Sequence, residues 1–99
     1  MVKIITERHV KKGEEEKYIK LIKEFHPIAK AQPGYVTADS LVSTENPSLF
    51  LVASTWEKVE DWRAFVNSEM GRKLFELTEP LLTGKPKTTV YQIIPLYEK

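Results

Sequence analysis

The sequence predicts an α+β domain in which a four-stranded antiparallel sheet carries its helices on one face. Three observations lead there. Apolar periodicity along the chain changes in the order strand, helix, strand, strand, helix, helix, strand. The two middle strands flank a short turn, Glu45-Asn46-Pro47-Ser48, and so read as an antiparallel hairpin. The strands also hold more apolar residues than one buried face uses, so the sheet needs cover on its second face.

Val2 to Val10 alternates loosely and is rich in β-branched residues, which predicts the first strand. Lys11-Lys12-Gly13 is a turn, and Glu14-Glu15-Glu16 places negative charge where a helix N-terminus favours it. Tyr18, Leu21, Ile22, Phe25, Ile28 and Ala29 then recur at helical spacing along one stripe. Pro27 lies inside that helix; it removes a backbone hydrogen bond and is expected to kink or split the helix near His26. Gln32-Pro33-Gly34 ends it. Tyr35 to Ser43 is the second strand, and Leu49 to Trp56, apolar on both sides, is a third that belongs in the middle of the sheet.

Val59, Trp62, Phe65 and Val66 mark a short amphipathic helix. Ser68-Glu69 caps the next, in which Met70, Leu74, Leu77, Leu81 and Leu82 repeat, with Pro80 bending its last turn. Lys87 to Pro95 closes the sheet. Counting the consecutive helices once, the order is βαββαβ, the ferredoxin-like pattern. A second copy of the chain is the expected cover for the free sheet face.

Ninety-nine residues make one domain, 1–99, with 41% hydrophobic and 29% charged residues. Fifteen basic and fourteen acidic residues give a net charge of +1, without the concentrated basic footprint that nucleic-acid binding needs. With no cysteine there is no disulfide framework, thiolate chemistry or cysteine zinc site, and two histidines leave little for metal binding. No run approaches the roughly 20 apolar residues of a membrane helix, and the N-terminus enters the first strand without a signal-peptide core. A cytoplasmic protein that binds neither nucleic acid nor membrane is the expectation. The four glycines are isolated, so no phosphate-binding loop is present, and no nucleophile elbow occurs.

Three features, in this order, resemble the antibiotic biosynthesis monooxygenase family. They are the Gly13 turn before an acidic-led helix, the Gln32-Pro33-Gly34-Tyr35 link into the second strand, and the Leu49-to-Trp56-Glu57 strand that feeds the helix Val59-Glu60-Asp61-Trp62-Arg63-Ala64-Phe65. The resemblance spans essentially the whole chain. It implies a dimeric α/β barrel, in which the sheets of a homodimer face each other and each subunit has a pocket between helices and sheet. Some members oxidise aromatic polyketides or quinols with molecular oxygen and no cofactor; others break down haem or act on signalling molecules. The haem-degrading branch uses an Asn on the first strand, a Trp on the helix after strand three and a His on the next helix. Those places here hold Glu7, Phe65 and Phe75, and phenylalanine cannot ligate iron. The resemblance therefore points away from that branch.

Glu7 and His9 lie two apart on a strand and share a face, which the resemblance aims at the pocket. A carboxylate beside an imidazole can act as an acid/base pair, and cofactor-free oxygenation needs a base because the substrate anion is what reduces oxygen. The plainer reading is a solvated strand end. His26 beside Pro27 is a third candidate, with a histidine bonded to a freed carbonyl at a helix bend as its plainer reading. Trp62, Phe65 and Tyr91, with Trp56 and Phe75, could wall a flat aromatic substrate or simply fill the core. Arg8 shares the other face with Thr6 and is expected at a dimer interface. The favoured function is a homodimeric, cofactor-independent monooxygenase of small aromatic or quinol-like compounds. The alternatives are a non-catalytic ligand-binding dimer, or an isomerase or mutarotase on the same fold.

Overall fold

The structure, a computed structural model, describes residues 1–97. Four strands, β1 (Val2–His9), β2 (Tyr35–Val42), β3 (Leu49–Trp56) and β4 (Lys87–Gln92), form one sheet in the order β2-β3-β1-β4. All neighbours are antiparallel. Three helices, α1 (Glu15–Lys30), α2 (Val59–Val66) and α3 (Glu69–Thr78), connect them, and a 3₁₀ turn at Glu79–Leu81 follows α3. The βαββαβ order and the central place of β3 are as the sequence predicts.

Helix α1 is not split at Pro27. It runs through the proline, whose carbonyl accepts a hydrogen bond from the Ala31 N–H (3.2 Å), so the ladder resumes beyond the missing donor. Pro27 and Lys23 both face solvent, where the carbonyl freed four residues back is easily hydrated. The closing strand is shorter than expected, ending at Gln92. Its partner β1 begins at Val2, opposite Gln92, so Ile94 and Pro95 have no strand beside them.

Local chemistry fixes the connections. Gly34 takes φ +81°, and a Cβ there would overlap the Asp61 carboxylate of α2. Only glycine lets the entry to β2 pass so close to α2. The Ser43 hydroxyl accepts from the N–H groups of Glu45 (3.2 Å) and Asn46 (3.0 Å), which shapes the hairpin turn. Ser68 caps α3 by accepting from the Gly71 N–H (3.1 Å). The end of β1 is tied to the segment after the 3₁₀ turn through Lys11 N–H to Leu81 C=O and Thr83 N–H to His9 C=O, both 2.7 Å.

The helices cover one face of the sheet. On β1 that face belongs to Val2, Ile4, Thr6 and Arg8; Val2 and Ile4 are buried, and Arg8 reaches the α1 residue Tyr18. Strand periodicity then puts Lys3, Ile5, Glu7 and His9 on the open face. In register with them on that face are Leu49, Leu51, Ala53 and Thr55 of β3, Leu41 of β2 and Tyr91 of β4. Among the described residues, no helix is long and apolar enough to cross a membrane.

Candidate functional site

The core under the helices is not continuous. One cluster gathers Val10, Tyr18, Phe50, Leu81 and Leu82 at one end of the sheet. A second gathers Val2, Ile4, Trp56 and Phe65 at the other, with Trp62, Tyr35, Ile28 and Ala29 packed on it. Between them one cross-strand row runs Thr88, Thr6, Val52, Ser40, in register over all four strands. Thr6 and Val52 stand at the middle of the two central strands, on the helix-covered face, yet neither is fully buried. A well-packed sheet buries such positions first. Helix α1 bridges the gap between its cluster residues Tyr18 and Ile28, and its Phe25 is buried while belonging to neither cluster. Thr6 and Val52 thus mark an interruption of the helix-covered core between the two clusters.

The polar groups on this part of the covered face are few. The Thr6 and Thr88 hydroxyls bond to each other (3.2 Å). Two residues further along β1, on the same face, Arg8 donates from Nη1 to the Tyr18 hydroxyl (3.2 Å). Its Nε is buried with no hydrogen-bond partner among the described residues. Tyr18 is itself 1% exposed and packs its ring against Phe50 at 5.0 Å. Two shallow hollows occur elsewhere, on α1 around Ile19 and on α3 around Arg72, and neither is lined by a sheet residue.

A second polar contact lies where α1 meets β2. His26 Nε2 is 3.1 Å from the Tyr35 hydroxyl. Burial raises the pKa of that hydroxyl, and the Asp39 carboxylate raises it further, so Tyr35 stays neutral through the range in which histidine titrates. A neutral hydroxyl can donate to the free imidazole nitrogen or accept from the protonated one, so the pair survives either state. The rings of Tyr35, Trp56 and Phe65 continue inward, at 5.6 Å edge-on and then 6.0 Å stacked.

Residues 1–77 match the family model described as antibiotic biosynthesis monooxygenase. The chain belongs to that family. Protein SchA of Streptomyces halstedii is 24% identical over 83 residues, which cover 84% of this chain and 22% of SchA. The chain thus spans about a fifth of the length of the curated relatives it matches. Among solved structures, an antibiotic biosynthesis monooxygenase-type protein from Nitrosomonas europaea superposes with TM-score 0.87 at 20% identity, over 98% of this chain and 100% of that one. SnoaB, a cofactor-independent oxygenase from Streptomyces nogalater, gives 0.85 at 12% identity, over 99% and 97%. At these identities the structural likeness establishes the shared fold.

Within this family fold, the residues singled out from the sequence are dispersed. Glu7 and His9 do share a face, but it is the open one; the helix-covered face takes the other parity of β1. Arg8, expected opposite the pocket, is the residue that reaches under the helices. His26 is exposed and paired with Tyr35, not with a carbonyl freed by Pro27. Phe65 is buried against Trp56, and Trp62 packs on the same cluster, so both belong to the core at one end of the sheet. Tyr91 is 50% exposed on the open face of β4. Arg8 carried a signal that could have been read: it has the parity of Val2, Ile4 and Val10, and a charge at a core position stands out.

Proposed function

We propose that this chain is a cofactor-independent oxygenase of small aromatic or quinol-like compounds, working as a homodimer that pairs the open faces of two sheets. The observation that carries the reading is the interrupted core, whose half-buried row at Thr6 and Val52 offers a flat ligand space between helices and sheet. Family membership and the description of SnoaB as a cofactor-independent oxygenase support the reaction class. With no cofactor the substrate must supply every electron. For an anthrone-type carbon, CH₂ becomes C=O: one atom of O₂ is retained, and the other leaves as water with the two hydrogens. Deprotonation comes first, since the anion is the better reductant. Of the acid/base candidates, only His26 belongs to the helix layer, next to the buried Phe25 and so over the proposed cleft between helices and sheet. It is the proposed proton acceptor, with Tyr35 fixing its ring. Trp62 and Phe65 close one end of the cleft, while Glu7, His9 and Tyr91 fall to the dimer interface.

The test is oxygen consumption in the presence of chelator against a panel of quinols, anthrones and flavonols. Uptake should fall at least about a hundredfold in His26→Ala, the low end for loss of a general base. Thr6→Leu, which fills the floor of the cleft, should abolish uptake while leaving stability within about 1 kcal/mol of wild type. Inserting the same methylenes into a packed core would cost typically 1–3 kcal/mol. Uptake unaffected by Thr6→Leu would move the reaction elsewhere, and silence across the panel would favour a binding dimer.

A further inference from the structure

Arg8 holds a positive charge beneath the helix layer with little from the protein to balance it. Its side chain makes one hydrogen bond among the described residues, to a neutral hydroxyl. A guanidinium has five N–H donors in a planar fork. The residues nearest it on its own face, Thr6, Val10 and, across β3, Phe50, are uncharged. Taking a cation out of water without a counter-charge is expensive, and the usual compensation is an anion on the fork. The residue as a whole is only half-buried, while its Nε is sealed without a partner among the described residues. Tyr18 cannot supply the missing charge, but it can aim the fork. Its ring is fixed in the core against Phe50, and its hydroxyl holds Nη1.

Resting on the cleft as the ligand site, we infer that Arg8, positioned by Tyr18, recognises a negatively charged oxygen on the ligand. The ligands are therefore acidic aromatics, that is, phenolates, enolised quinols or aromatic carboxylates. The planar oxyanion lies across the free edge of the guanidinium, with its rings over Thr6 and Val52 toward the Trp56–Phe65 stack. A small rotation of the fork engages Nε as the second prong. The pairing is electrostatic and directional, so lysine is a poor substitute.

The experiment compares 2-naphthoate with 2-naphthamide, which match in shape and differ in charge, by isothermal titration of the wild-type protein. Charge-assisted recognition should favour naphthoate by at least about tenfold. The Arg8 Nε–H resonance should shift on naphthoate binding and hold still with the amide. In Arg8→Gln the preference should vanish. Arg8→Lys should retain only part of it, and Tyr18→Phe should weaken it without removing it. Equal affinity for the two compounds overturns the inference, as does no binding of either at millimolar concentration. So does a naphthoate preference that leaves the Arg8 Nε–H unmoved; this last readout needs no variant to fold. None of these measurements depends on turnover. A naphthoate preference without oxygen uptake would therefore sink the oxygenase reading alone, and uptake without the preference would sink only the role given to Arg8.

Discussion

The two faces of the sheet are built from the same four strands and serve opposite ends. The helix-covered face holds Val2, Ile4, Phe50 and Trp56 buried in two clusters, with a polar row and one arginine between them. The open face holds a band of Ile5, Leu41, Leu49, Leu51, Ala53 and Tyr91, interleaved with Lys3, Glu7, His9, Asp39 and Lys87. The covered face gathers its apolar residues into two buried clusters, whereas the open face spreads them among charged ones. In the proposed function, that contrast separates a face that holds a ligand from one that pairs with a second copy.

The largest effect should come from the covered face. Trp56 is 1% exposed, stacks on Phe65, meets Tyr35 edge-on and donates from its indole to the Ser54 hydroxyl at 3.1 Å. Trp56→Ala should cost about 3–5 kcal/mol, read as a drop in the urea midpoint. The open-face Leu51, half-buried in the same strand, should cost less on truncation to alanine, because part of its surface already meets solvent. A Leu51→Ala loss equal to that of Trp56→Ala would erase the distinction between the faces in the subunit. It would then locate the difference wholly in assembly.

A charge on the open face sharpens the comparison from the other side. Leu51→Asp places a carboxylate in the middle of the proposed dimer interface, where an unpaired buried charge is strongly unfavourable. The expected result is a halved mass by light scattering, with the circular dichroism of the folded subunit retained. A dimer that survives this change would have to use another surface, and the apolar band would need another occupant.

How much of this was legible in the sequence follows from which signals are local. Strand and helix placement came from periodicity, and the Gly34 and Ser68 signals were sound because each acts within a few residues. The helix runs on through Pro27 without splitting, because a proline on the solvent side of a helix loses one bond and little else. The site was harder. Alternation shows that Glu7 and His9 share a face and that Arg8 has the other, but not which face the helices will take. That is decided by the crossovers packing α1, through Tyr18, against Val10 and Phe50 at one end and against Trp56 and its neighbours at the other. The open row at Thr6 and Val52 is less legible still, since it is a property of four strands in register.

The smallest effect concerns the edge of the covered face, where Tyr35 joins β2 to His26. Burial, and secondly Asp39, raise the Tyr35 pKa above its ordinary value of about 10, so the folded state holds the phenolic proton more tightly than the unfolded chain does. The sign of the linkage follows. The stabilisation is complete below pH 10 and is lost as pH rises through the folded-state value, because the unfolded tyrosine ionises first. Tyr35→Phe has no such proton. It should lose a few tenths to about 1 kcal/mol at pH 7 with the hydrogen bond to His26. That deficit should shrink above pH 10, where wild type alone loses the Tyr35 contribution. The quantity to follow is the difference in urea midpoints between wild type and Tyr35→Phe from pH 8 to pH 11, which cancels whatever the two proteins share. A difference that stays constant across that range would mean that folding does not hold the Tyr35 proton, and that the hydroxyl beside His26 is as well solvated as in the unfolded chain.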